Sequence, residues 1–290
     1  MAVKNVSNMA GFISALVGAV SGDTIEILAD LNFDDVVNTF GSTVQLGGGN
    51  VTNNITINGN NHAIYNLSAG LMTASNNTLF SFGTGINNII NNLSFLNCNC
   101  GSSNIRIITT SGNGTLIIHN AVIQGRFKST MFQGKITVRD SMITIDHASG
   151  RGLSTGSANT TPEWLRCWIN CIECQYNYSS GSGAWGNNIH SCYIQGKITA
   201  SSAPDNFTLF NGVNDRCINV QTYIPTPTPN TVINSSPAGS LQSANIINIS
   251  KITSSTPMTE ESSTTWVKCV TDEHMKDAEY LANIGFNIIP

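Results

Sequence analysis

The residues able to do chemistry fall into three groups along the middle of the chain. The first is Cys167-Trp168-Ile169-Asn170-Cys171-Ile172-Glu173-Cys174, with the C-x3-C-x2-C spacing of a soft-metal or iron–sulfur ligand set. Three thiolates leave a tetrahedral zinc one ligand short. Cys192, Cys217 and His190 could complete it, at no regular spacing. The preferred reading is that Cys167, Cys171 and Cys174 are reduced thiols packed as small hydrophobes, with no cofactor.

The second group is carboxylates: Asp140, Asp146, Glu163, Glu173, Asp205 and Asp215. Glycoside hydrolysis needs two of them about 5–5.5 or 6.5–9.5 Å apart. Asp140 and Asp146 share strand parity, but six extended residues separate them by about 20 Å. A working pair must therefore come from different passes of the chain. Asp146-His147-Ala148-Ser149-Gly150-Arg151 gathers an acid, an imidazole and a guanidinium in what reads as one loop. With Asp140, the residues Asp146, His147 and Arg151 are the catalytic candidates, weighed against a solvated loop, which is the commoner case. The third group is aromatic: Trp164, Trp168, Tyr176, Tyr178, Trp185 and Tyr193. Aromatic faces stack on sugar rings and asparagine supplies paired donors and acceptors, so these six are the glycan-binding candidates. Core packing is the competing use. The segment 176–188 has the Tyr/Ser/Gly/Asn mixture of adaptable recognition surfaces.

Composition narrows what could carry these groups. Only 10% of the 290 residues are charged and 40% are hydrophobic, the polar surface being supplied by Asn, Ser, Thr and Gly. Such a chain favours stacked strands over helical bundles, which draw on Glu, Lys and Arg. The 13 basic residues are scattered singly and the net charge is −4, so no nucleic-acid partner is expected. No stretch approaches the roughly 20 apolar residues of a membrane span. Met1-Ala2-Val3-Lys4-Asn5 has neither the basic start nor the apolar run of a signal peptide, so a product assembled in a cytoplasm is expected.

The elements that position the candidates follow from periodicity. Phe12, Ile13, Leu16, Val17 and Val20 recur at helical spacing and predict a helix over 8–20, followed by a Gly-Asp turn and a strand at 24–31. A motif of apolar alternation, one small polar residue and another apolar pair then repeats. It is clear in Ile89–Leu96, Leu116–Ile123 and Ile136–Ile143, and weaker around residues 167, 191 and 219. Aligning Asn92, Asn120, Asp140, Cys167, Ser191 and Asn219 gives spacings within the 20–50-residue range of solenoids. At a bend between sheets Asn and Asp tolerate left-handed backbone, and their side chains can bond the equivalent residue one pass away.

This pattern resembles the pectin-lyase-like proteins, whose resemblance implies an all-β, right-handed parallel β-helix with a short N-terminal capping helix. Polygalacturonase-type Asn-Thr-Asp and Gly-His-Gly motifs are absent. The cysteine spacing is similar to that of radical SAM enzymes, yet Glu173 stands where those carry an aromatic residue and no βα alternation follows. Over 270–286, Thr271, Met275, Tyr280, Leu281, Gly285 and Phe286 resemble a terminal segment of Gly-rich-repeat bacterial surface adhesins and of some phage proteins. One helix is predicted there, capped by Thr271 and closed by Gly285, with Met275, Ala278, Leu281 and Ala282 on one stripe.

The resulting expectation is a cap and first pass over 1–40 and a β-helix body over 41–224. A Pro/Ser/Thr-rich connector over 225–265 and a separate end piece over 266–290 follow. The resemblance implies a virion protein of fibre, spike or capsid-decoration type, homotrimeric, bound to other virion proteins and to host-surface polysaccharide, and non-enzymatic. A tailspike-type depolymerase and a bacterial surface adhesin are the alternatives.

Overall fold

Isoleucine at alternate positions dictates the interior. In the computed structural model, which describes residues 1–36, 44–46, 54–68, 78–82, 87–100, 106–110, 112–127, 131–149, 162–176, 189–200, 210–211, 216–224, 233–234, 245–264 and 267–284, successive passes of the chain lay these residues directly over one another. One column runs Ile25, Ile57, Ile90, Ile118, Val138, Trp164, Ile189, each paired in register with the next. A second runs Leu31, Ile64, Phe95, Ile123, Ile143, Ile169, Ile194, Ile218, Ile247, Cys269. Every member of both columns is buried. β-Branched side chains are stiff and fill a pleated surface well, and each buried one contributes about 1.5–3 kcal/mol.

The first column belongs to a parallel sheet from Val3–Val6 through Thr24–Ile27, Thr56–Asn58, Asn88–Asn91, Thr115–His119, Lys135–Arg139 and Glu163–Leu165 to Ile189–His190. The second belongs to a longer parallel sheet from Leu31–Asn32 to Val267–Val270. It takes in Ser94–Cys100, Val122–Phe127, Met142–Ser149, Trp168–Tyr176, Cys192–Ala200, Arg216–Tyr223 and Asn245–Asn248. A third, smaller sheet holds Val44–Leu46, Thr78–Phe82, Arg106–Thr110 and Phe132–Gln133. The protein is thus mostly β, built of large parallel sheets in a solenoid-like order, with small helices near either end. Passes differ in length, from 20 residues between Ala121 and Ser141 to 36 between Val44 and Phe80.

A corner joins the first sheet to the second. Asn92, Asn120, Asp140, Arg166 and Ser191 occupy it with φ of 50–53°, the left-handed region. Each of the first four donates its backbone N–H to the carbonyl just before the next corner: His119, Arg139, Leu165 and His190, at 3.0–3.2 Å. The residue after the corner turns inward and is buried, as at Leu93, Ala121, Ser141, Cys167 and Cys192. Two of the aligned positions are therefore corrected. The corner of its pass is Arg166, not Cys167, and Asn219 lies within the strand Arg216–Tyr223.

The ends also differ from expectation. The N-terminal helix spans Met9–Val17, with Asn8 as N-cap accepting from the Gly11 N–H at 2.8 Å. Phe12, Ile13 and Leu16 are buried, and Phe12 meets Phe80 edge-on at 6.3 Å, but Val17 and Val20 face solvent. At the other end the single predicted helix is two, Asp272–Lys276 and Ala278–Asn283. Asp277 ends the first with extended backbone and caps the second, accepting from the Tyr280 N–H at 2.9 Å. Thr271 is the first helix's N-cap, while Ala278 and Ala282 are exposed, leaving Met275 and Leu281 to pack. The second sheet also continues past residue 224, because Asn245–Asn248 and Val267–Val270 extend it in register. Pro225–Pro229 lie outside the described residues.

Candidate functional site

Outward residues beside the corner form a polar ridge crossing successive passes. Asn58 donates to Glu26 at 2.7 Å, Asn60 to the other oxygen of Glu26 at 2.9 Å, and Asn120 to the Asn92 side-chain carbonyl at 2.6 Å. The next passes replace amides by charges. Arg166 grips Asp140 through Nε at 2.6 Å and Nη2 at 2.8 Å, and His119 Nε2 stands 3.3 Å from Asp140. One pass on, Thr137 donates to Glu163 at 3.0 Å and His190 lies 3.8 Å from Glu163. A bidentate guanidinium–carboxylate pair is the strongest of these contacts. Arg166 and then its charge, with those of His119 and Arg139, hold the Asp140 carboxyl below the usual carboxylate range, against a partial opposing effect of burial. Among the described residues, Arg139 keeps a buried Nε without a hydrogen-bond partner.

Of the catalytic candidates whose side chains are described, Asp140 belongs to this ridge and Asp146 does not. Asp146 is exposed on the second sheet, within the strand Met142–Ser149, so the supposed loop is strand as far as Ser149. Asp140 thus sits at a corner and Asp146 within the strand after it, so the two do not share one strand. His147 pairs in register with Arg126; its side chain and all of Arg151 lie outside the described residues. The ridge was legible only in part: Glu163 stood among the sequence's carboxylates and His190 among the possible companions of the thiols, whereas His119, Arg139 and Arg166 carry no motif.

The aromatic candidates separate. Trp164 is wholly buried in the inward column, its ring 5.8 Å from that of Phe132, and cannot stack on a sugar. Trp168 and Tyr193 point outward from the second sheet and meet edge-on at 5.7 Å. The C-terminal helices fold back onto them: Met275 and Leu281 complete a cluster with Tyr193, Ile246 and Val270, against which Trp168, Tyr280 and Ile284 pack. Tyr193 is only 7% exposed, and its hydroxyl accepts from Asn219 at 3.0 Å. Asn248 ties the same helices down, donating to Asn219 at 2.8 Å and to Asp272 at 3.0 Å. Tyr178, Trp185 and the Tyr176 side chain lie outside the described residues.

Cys167, Cys171 and Cys174 are buried inside the stack. Cys167 takes the Cys192 sulfur as acceptor for its N–H at 3.3 Å, and its own thiol donates to the Val138 and Leu165 carbonyls at 3.4 Å. A register shift between Cys171 and Cys174 turns both inward and leaves Ile172 exposed. Burial pushes the Cys171 thiol well up, and that of Cys100 to about 12, away from the thiolate a metal needs. His190 faces outward on the ridge, so it is not brought to these sulfurs. Among the described residues no group of three or more His, Cys, Asp or Glu side chains is placed to hold a metal ion. The Cys217 side chain lies outside them.

Comparison with protein-family models, curated proteins and solved structures finds no match to this chain.

Proposed function

We propose that the chain is a right-handed parallel β-helix acting as a non-enzymatic adhesion module of a virion fibre, spike or decoration protein, with the corner ridge as its glycan-binding face. The observation that carries this reading is the row of amide, carboxylate, imidazole and guanidinium groups from Glu26 to His190, repeated at each pass. Parallel strands lie about 4.8 Å apart, so the row offers donors and acceptors at a regular interval to an extended, hydroxyl-rich polymer. Arg139, half-buried with its charge beside Asp140, supplies a cation to this row. Assembly in threes and attachment to other virion proteins belong to the same reading. Calorimetric titration with host capsule or wall polysaccharide tests it. Arg139→Ala and His119→Ala should weaken binding about tenfold or more, the usual loss for a hydrogen bond to a charged group. Absence of binding to any such glycan, or binding indifferent to both variants, would overturn it.

A second reading, a depolymerase, is favoured by one observation: Asp140 and Glu163 come from successive passes on one ridge. Asp140, held ionised by Arg166, is unfit to be the proton donor, leaving Glu163 for that role. Release of reducing ends or unsaturated products from the bound polysaccharide would replace the first reading by this one.

A further inference from the structure

The last strand of the second sheet, Val267–Val270, has a strand neighbour on one side only among the described residues. A free edge of this kind offers alternate N–H groups to any extended segment. Here three N–H groups at alternate positions are already taken, each by a side-chain oxygen from a short stretch just upstream. Val267 donates to Thr264 Oγ1 at 3.1 Å, Cys269 to Ser263 Oγ at 3.0 Å, and Thr271 to Glu260 Oε1 at 3.2 Å. The stretch is itself a folded unit. Residues Glu260–Ser262 form a 3-10 turn, Ser262 Oγ accepts from the Thr259 N–H, and Ser263 Oγ donates to the Glu260 carbonyl. Glu260 is aimed by His274 Nδ1 at 2.6 Å, and the His274 ring lies flat on Tyr280, with centroids 4.0 Å apart.

We infer that residues 259–264 are a built-in edge cap, latched by Glu260–His274, that denies the last strand to an incoming β-strand, above all that of a second copy of this chain. The three oxygens occupy the places where a further pass would put its carbonyls, but they belong to short side chains on a turned backbone and offer no ladder of their own. Without them, a parallel sheet whose end strand is free can add another chain head to tail. Such a contact is heterologous and propagates without closure.

The test compares wild type with a Glu260→Ala, Ser263→Ala, Thr264→Val triple variant, reading mass by light scattering across a wide concentration range and amide exchange by NMR. The triple variant is expected to show concentration-dependent species at multiples of the wild-type mass. The single variant Ser263→Ala, which risks less of the fold, is expected to speed exchange at Cys269 about three- to tenfold, one net hydrogen bond's worth, with Asn245–Asn248 unchanged. An unchanged Cys269 amide in the single variant would overturn the assignment of the cap. A folded triple variant that keeps the wild-type mass would overturn its role against strand addition.

Discussion

Replacing Gly196 by alanine is the sharpest test of the way the passes stack. Gly196 sits inside the strand Cys192–Ala200 with φ of +105°, and a Cβ there would lie 1.9 Å from the Cys171 carbonyl oxygen and 2.7 Å from its carbon. These are backbone atoms of the preceding pass, so no side chain can swing aside. A left-handed or otherwise strained φ costs an L-residue about 1–2 kcal/mol. Forcing a methyl into a packed contact adds about 1–3 kcal/mol. Together the loss is about 2–5 kcal/mol, a large share of the 5–15 kcal/mol typical of a folded protein. Urea unfolding followed by circular dichroism should show it as a midpoint lowered by roughly 1–2.5 M, for a slope of about 2 kcal/mol per M. Gly18→Ala is the control. There φ is −91° and the added Cβ first meets the Ser14 carbonyl at 3.3 Å, so the change should be small. Gly196→Ala with a wild-type midpoint, or the two variants behaving alike, would refute the close approach of adjacent passes.

Three further outcomes are expected. Ser141→Ala should cost about 1–3 kcal/mol in the same unfolding assay, because it strips the acceptor from the buried Ala121 N–H, now bonded at 3.1 Å. The Glu260 carboxyl is held below its usual range by His274 and then by the Thr271 N–H, so its contribution is complete above the ordinary glutamate value of about 4.3. That contribution is lost as pH falls through the lowered value, so the melting-temperature gap between wild type and Glu260→Gln should close in acid; a gap independent of pH would count against the latch. Finally, the seven described thiols are buried, with Cys100 pushed up to about 12 and Cys269 to about 11. At pH 8 they should ignore an aromatic disulfide reagent until denaturant is added, and rapid reaction at any of them in native protein would contradict the packing.

The repeat was legible because asparagine and aspartate mark left-handed corners by residue type, as at Asn92, Asn120 and Asp140, and because the small polar Ser191 keeps the spacing. Arg166 was not, since arginine has no such preference and sits there at a conformational cost that its grip on Asp140 offsets. That one-residue slip, placing the corner at Cys167, had a consequence beyond itself. Side chains alternate across a strand, so moving the corner by one reverses every face in the pass. With the corner at Arg166, Trp164 falls two residues before it, as do Ile90, Ile118 and Val138, and must point inward. The aromatic residues alone carry no information about face. The capping oxygens of Glu260, Ser263 and Thr264 were invisible for a different reason: they serve backbone groups 3 to 11 residues away, and no periodicity records such a bond. The break at Asp277 was likewise hidden under a continuous helical pattern, because an aspartate can cap a second helix as readily as it continues the first.

The two sides of each pass are unequal. Between Thr115–His119 and Val122–Phe127, Lys135–Arg139 and Met142–Ser149, and Glu163–Leu165 and Trp168–Tyr176, the connection is always two residues. On the return side it varies, with seven residues between Phe127 and Lys135 but thirteen between Ser149 and Glu163. In these passes register is kept by the two-residue corner, so length can change on the return without disturbing the ladder. An engineer could therefore graft a foreign epitope or a reporter peptide between Ser149 and Glu163. The same insert at Asp140 or Arg166 would break the hydrogen-bonded column from Asn92 to His190. The molecule is in this sense a display scaffold with one rigid spine and one writable margin.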